Sequence, residues 1–96
     1  MIVSVNVKLI GALRVSHGID KVALNIDHAT VQAVVEKVGH SLSPDDVRML
    51  IDPELNDPRP NVLILVNGKE ISALSGLQTE VRNGDEIVII PVTHGG

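Results

Sequence analysis

Val62-Leu63-Ile64-Leu65-Val66-Asn67-Gly68-Lys69-Glu70-Ile71 is the stretch on which the fold turns. Its five leading apolar residues form the strongest strand signal in the chain, rich in the branched side chains that suit a pleated surface. Asn67-Gly68 follows at once. This pair tolerates φ > 0 at both central positions of a type I′ turn, so the chain is expected to reverse and return through Lys69 to Ile71 as a hairpin. Downstream, Leu74 to Leu77 and Thr79 to Val81 lead to a second turn at Asn83-Gly84, and Ile87 to Ile90 read as the last strand. Pro91, which has no N–H to give to a ladder, is expected to stop that strand and leave Val92-Thr93-His94-Gly95-Gly96 as a tail.

Upstream the period changes. Asp52 to Pro60 holds three of the five prolines and reads as a loop. Ser43-Pro44-Asp45-Asp46 opens a short helix, with Pro in the first turn and carboxylates near its positive end, ahead of Val47, Leu50 and Ile51. Thr30 is placed to cap a longer helix whose Val31, Val34, Val35 and Val38 recur at helical spacing, with Glu36 and Lys37 outward and Gly39 predicted as the stop. Val is a middling helix former, so burial of this stripe, not propensity, must hold the helix. At the start, Val3, Val5, Val7 and Leu9 alternate with Ser4, Asn6 and Lys8 as a half-buried strand. Lys21 to Ile26 pairs with it as a hairpin across a longer loop, with Val22, Leu24 and Ile26 on one side. Hairpin, helix, hairpin and closing strand give an α+β class with the β-grasp topology: a mixed sheet of four to five strands on one main helix, with a short second helix. Residues 1–91 form the domain and 92–96 the tail.

Composition narrows the function. Ninety-six residues fill one domain, and 44% apolar content supplies a core. No apolar stretch approaches the ~20 residues that span a bilayer. No charged start leads into an apolar signal segment, so a cytoplasmic location is expected. The net charge is −4, the eight basic residues are scattered, and there is no aromatic ring to stack a base, so nucleic acid is not expected as a partner. The absence of Cys excludes disulfides, thiolate metal sites and a cysteine nucleophile. No phosphate loop, paired-His helix motif or nucleophile elbow is present, so the chain does not read as an enzyme. His17, His28, His40 and His94 fall at unrelated spacings, Asp45 and Asp46 diverge around a helix, and Ser16, His17 and Asp20 are only neighbours in a loop, so none of these groups reads as a metal or catalytic site.

The terminus remains. Gly95 and Gly96 follow a strand and a proline exit, presenting one ionised α-carboxylate of ordinary pKa near ~3.5 away from the body. Without Cβ, both residues can pass a narrow channel into another protein's site and leave the carboxyl carbon of Gly96 unhindered. A partner must also grip the body. Aligned back from the terminus as in the ubiquitin-like folds that this strand and ending resemble, Ile87 and Ile89 are expected to face the helix, leaving Val88 and Ile90 outward. With Leu63 and Leu65 these form an apolar interface patch, unless a helical segment or a dimer partner covers them or the register is off by one; Pro91, Val92, Thr93 and His94 extend the contact to the terminus.

Four segments resemble the ubiquitin-like sulfur carriers: Ala29-Thr30-Val31 at the helix start, Arg59-Pro60-Asn61-Val62-Leu63-Ile64-Leu65-Val66-Asn67-Gly68, Asn83-Gly84-Asp85-Glu86, and His94-Gly95-Gly96. The resemblance covers the whole chain and takes in the ubiquitin-related modifier, the molybdopterin synthase small subunit and the thiamine sulfur carrier. The ending with His looks like the ubiquitin-related modifier, whereas Ile90-Pro91-Val92 looks more like the molybdopterin synthase subunit. The resemblance implies a carrier that binds no cofactor itself. A ubiquitin-activating-enzyme-like adenylating enzyme would use ATP and magnesium to activate Gly96, and the resulting thiocarboxylate would pass to a tRNA thiolase or to the molybdopterin synthase large subunit. Target protein lysines could capture the same activated terminus, with Lys8, Lys21, Lys37 and Lys69 as self-conjugation candidates. A reading of a different class also stands: a non-reactive β-grasp binding module whose diglycine is only a frayed end.

Overall fold

The computed structural model describes residues 2–13 and 21–92. Five strands form one mixed sheet in the order β2-β1-β5-β3-β4: β1 is Val3–Leu9, β2 Lys21–Ile26, β3 Val62–Val66, β4 Lys69–Glu70 and β5 Glu86–Pro91. β1 and β5 run parallel, and every other neighbouring pair runs antiparallel. Two helices, α1 (Val31–His40) and α2 (Pro44–Leu50), complete the architecture. The β-grasp arrangement read from the sequence is therefore the arrangement found.

The inner face of the sheet is set by alternation. Val3, Val5, Val7 and Leu9 of β1, Ile64 of β3, and Ile87 and Ile89 of β5 are all buried, and they meet Val31, Val34, Val35 and Val38 from α1. Each such side chain removed from water contributes about 1.5–3 kcal/mol, enough to hold a valine-rich helix that would be marginal alone. Thr30 caps that helix as predicted, its Oγ1 accepting from Ala33 N at 3.3 Å. The same end is tied to the 79–81 segment, with Val31 N donating to Thr79 O (3.0 Å) and Val81 N to Ala29 O (2.9 Å). Leu13, fully buried, joins the core from a stretch in which the sequence shows only a loop.

Both turns are of the expected kind, and their asparagines act beyond the turn. Asn67 (φ 50°) and Gly68 (φ 85°) occupy the left-handed region that a type I′ turn requires. Asn67 also reaches the start of β5: its Nδ2 donates to Asp85 Oδ1 and its Oδ1 accepts from Glu86 N, each at 2.9 Å. On the other side, Asn83 Oδ1 accepts from Ser4 N at 2.8 Å, and Asn6 N donates to Asp85 O at 2.9 Å. The first residues of β5 are thus clamped to both neighbouring strands.

Two local expectations are corrected. Gly39 does not stop α1. The helix continues through His40, and Ser41 caps it, with its N–H and Oγ both donating to Val38 O (3.0 and 2.8 Å). Gly39 avoids the left-handed φ that would end a helix and lies buried against Ile51 and Leu50. Nor does Pro91 stop the ladder, since it is the last residue of β5 and pairs with Val62. Ile89 O accepts from Ile10 N on the β1 side (3.1 Å), whereas Val92 N donates to Asn61 O on the β3 side (3.0 Å). Odd positions of β5 therefore turn their backbone groups to β1, and the N–H that proline lacks falls past Leu9, where β1 has ended.

The alternation predicts the outcome of two adjacent truncations. Ile89→Ala, deep in the core, should lower unfolding stability by about 2–5 kcal/mol, whereas Ile90→Ala should cost no more than about 1.5 kcal/mol. Urea denaturation of both variants checks the register, and the reverse order would contradict it.

Candidate functional site: the outer sheet face and the end of β5

The outer face of the sheet carries the partner-binding residues read from the sequence. Leu63 registers with Ile90, and Leu65 with Val88, so the four side chains form one contiguous block across β3 and β5. All four are half-buried, shielded partly by one another. Polar groups border the block: Lys8 registers opposite Val88 on β1, and Glu70 opposite Leu65 on β4. An apolar centre with a polar rim is the form of a surface that docks a partner.

Beyond the block, Pro91 is half-buried and Val92 is 40% exposed. Val92 is the last described residue, and the remaining candidates Thr93, His94, Gly95 and Gly96 lie outside the described residues. A groove of about 250 Å³ opens at the base of this tail, lined by residues that include Arg59, Leu63, Ile71, Gly76 and Val92. β4 contributes only two residues, so its pairing with β3 ends at Leu65↔Glu70 and leaves Val62 to Ile64 as the floor of that groove. A larger groove of about 490 Å³ lies between β2 and α1, walled by Leu24, Ala33, Lys37 and His40.

Arg59 enters from the loop that precedes β3. Its guanidinium grips the Asp57 carboxylate through Nε (3.0 and 3.1 Å) and Nη2 (2.6 Å), while Asp57 Oδ1 also accepts from Arg59 N at 2.8 Å. The hydrogen bond from the Arg59 side chain holds Asp57 below the ordinary carboxylate range, and Asp57 raises Arg59 in turn. Asn61, two residues on, joins three parts of the fold. Its N–H donates to Pro58 O (2.9 Å), its Nδ2 to Arg48 O at the end of α2 (3.0 Å), and its C=O accepts from Val92 N. The sequence showed both residues in the approach to β3 but gave no sign of these long-range bonds.

The four lysines are exposed: Lys37 donates to Asn25 O (2.6 Å), Lys21 stands 3.8 Å from Glu86, and Lys8 and Lys69 lie toward opposite edges of the sheet. His28 and His40 are exposed, and His17 and His94 fall outside the described residues, as do Ser16 and Asp20. Among the described residues, no cluster of three or more His, Cys, Asp or Glu is placed to hold a metal ion. No helix among them is long and apolar enough to cross a membrane.

A mixed five-stranded β-grasp sheet packed on one main helix is the fold of ubiquitin-like proteins. The chain belongs to the ThiS family, which matches residues 7–96. A curated Archaeoglobus fulgidus relative described as a sulfur carrier protein is 49% identical over 37 residues, which are 38% of this chain and 42% of that protein. Among solved structures, the small archaeal modifier protein 1 of Methanosarcina acetivorans is similar with a TM-score of 0.82 and 27% identity, covering 100% of this chain and 99% of that one. The Amycolatopsis orientalis BexX/CysO complex contains a chain similar at a TM-score of 0.70 and 27% identity, covering 96% of this chain and 99% of that one. The protein is therefore a member of a family of sulfur carriers and ubiquitin-like modifiers.

The Asp57–Arg59 pair predicts an acid dependence. Because the folded Asp57 pKa lies below its unfolded value near 3.8, its contribution is present above that value and is lost as pH falls through the folded pKa. The pair is partly exposed, so the effect is small. Asp57→Asn keeps the acceptor for Arg59 N and removes the charge; below about pH 4 wild type should lose stability more steeply than this variant. Parallel acid limbs in thermal unfolding would contradict the assignment.

Proposed function

We propose that the protein is a carrier whose Gly96 carboxylate is activated by a separate ATP-using enzyme and loaded with sulfur as a thiocarboxylate. The observation that carries this reading is the placement of β5 between β1 and β3, so that Val92, the last described residue, follows a central strand beside the apolar block. The ThiS family match over residues 7–96 supports it.

The chemistry follows from what a carboxylate lacks. Its carbon is a poor electrophile because neither oxygen can leave as an oxide. Attack of a Gly96 oxygen on the α-phosphorus of ATP expels pyrophosphate and forms an acyl-adenylate with AMP as leaving group. Hydrosulfide displaces AMP to give the thiocarboxylate directly. A protein persulfide instead gives an acyl disulfide, from which a second thiol releases the thiocarboxylate and becomes part of a new disulfide. With no Cys in this chain, every sulfur comes from a partner. ATP and magnesium belong to the activating enzyme, as does the work of orienting the α-phosphate.

The body supplies binding. Leu63, Leu65, Val88 and Ile90 are the contact block, and Pro91 and Val92 carry the surface to the tail. Apolar contact contributes roughly 25 cal/mol per Å² removed from water, so a block of this kind holds a partner while the diglycine, without Cβ atoms, enters its site. The loaded terminus then serves a sulfur acceptor enzyme, of the tRNA-thiolating or molybdopterin-forming kind. Capture by a lysine amine would instead release the sulfur or AMP group and form an isopeptide bond.

Two variants separate gripping from chemistry. A chain lacking Gly95 and Gly96 should fold with unchanged stability and support no pyrophosphate exchange by the activating enzyme. Leu65→Glu should keep the tail and raise KM for the carrier about tenfold or more, by burying a charge in the contact. Full exchange by the truncated chain would sink the proposal, and no exchange by the intact chain would favour a non-reactive binding module.

A further inference from the structure

We propose that Asn61 is a positioning residue for the reactive terminus, setting the direction in which the tail leaves the body. The inference rests on the carrier reading above and adds to it a residue outside the contact block and the diglycine.

The local geometry makes Asn61 a junction. Asn61 O accepts from Val92 N at 3.0 Å, a bond that ties the end of β5 to the β3 side. That carbonyl is fixed by its own residue at two further points, the N–H to Pro58 O (2.9 Å) and the side-chain Nδ2 to Arg48 O (3.0 Å). Arg48 lies in the last turn of α2, where backbone carbonyls have no partner within the helix, so the Asn61 amide satisfies one of them. The preceding residue of β5 is Pro91, whose ring fixes φ near −65°, so the strand is stiff up to Val92. With Asn61 held, Val92, the last described residue, is fixed in place.

The consequence for the reaction is one of rate rather than affinity. The apolar block docks the body whether or not Val92 is tied, so releasing Val92 leaves KM in place. It does enlarge the volume over which the carboxylate wanders once docked, and fewer docked chains have the carboxyl oxygen aligned with the α-phosphorus. Freeing one fixed residue corresponds to a loss of roughly five- to thirty-fold in kcat.

The test uses the full chain with the adenylating enzyme of the same source, read by carrier-dependent ATP–pyrophosphate exchange. Asn61→Ala removes the anchor to Arg48. Asn61→Asp keeps the shape without the donor. Val92→Pro removes the tail's N–H and leaves the α2 bond intact, so it carries the test should the first two fail to fold. Ser43→Ala is the control, because it weakens α2 at its other end, where Ser43 Oγ accepts from Asp46 N at 3.2 Å. The expected result is a fall in kcat at constant KM for Asn61→Ala and Asn61→Asp, a fall in kcat for Val92→Pro whatever its KM, since Val92 also belongs to the contact surface, and no change for Ser43→Ala. With it goes loss of hydrogen-exchange protection at the Val92 amide in Asn61→Ala, while Ile90 stays protected. Unchanged kcat in a variant whose Val92 amide has been released would overturn the inference alone, as would an equal loss in Ser43→Ala. No exchange with wild type would overturn the carrier reading and this inference with it.

Discussion

β5 is hydrogen-bonded on both sides, parallel to β1 and antiparallel to β3, and this is the constraint on which the rest of the structure depends. A strand at a sheet edge could peel away with the tail it carries. A central strand cannot, so forces on the terminus meet a fixed anchor. The asparagine clamps at its start, Asn67 to Asp85 and Glu86 and Asn83 to Ser4, hold the strand in register at the end opposite the tail.

That placement also divides the work of one short strand between two faces. Ile87 and Ile89 are fully buried beneath the helix, while Val88 and Ile90 join Leu63 and Leu65 on the outer side. The core and the proposed docking surface thus take alternate residues of the same segment. A one-residue slip would exchange them, burying the docking block and exposing the core. The two asparagine turns make such a slip costly because each pairs specific backbone groups across the sheet.

Most of the fold was legible because its signals are local. The Val62–Val66 run with Asn67-Gly68, the Thr30 cap with its valine stripe, and Ser43-Pro44 each specify an element within a few residues. The outward position of Val88 and Ile90 was read by aligning the strand back from the terminus as in ubiquitin-like folds, because four consecutive apolar residues give period two no phase of its own. What escaped depends on distant partners. Pro91 looked like a stop because proline lacks a donor, yet its empty side falls beyond the end of β1, a fact fixed by where another strand stops. Gly39 looked like a helix end, but the contact with Leu50 and Ile51 from α2 buries it within the helix. Asn61 reads as an ordinary polar residue before a strand; its bonds to Arg48 and Val92 reach 13 and 31 positions away in sequence. The proposed tail chemistry was read from Gly95 and Gly96 and from resemblance, and both glycines lie outside the described residues.

The central claim is that this body lends its final carboxyl carbon to chemistry carried out by other proteins. Intact mass of the chain, after incubation with the adenylating enzyme of its source, ATP, magnesium and hydrosulfide, tests it most directly. The account predicts a mass gain equal to one oxygen replaced by sulfur, confined by fragmentation to Gly96 and absent without ATP. An unchanged mass, or sulfur found on any other residue, would contradict it.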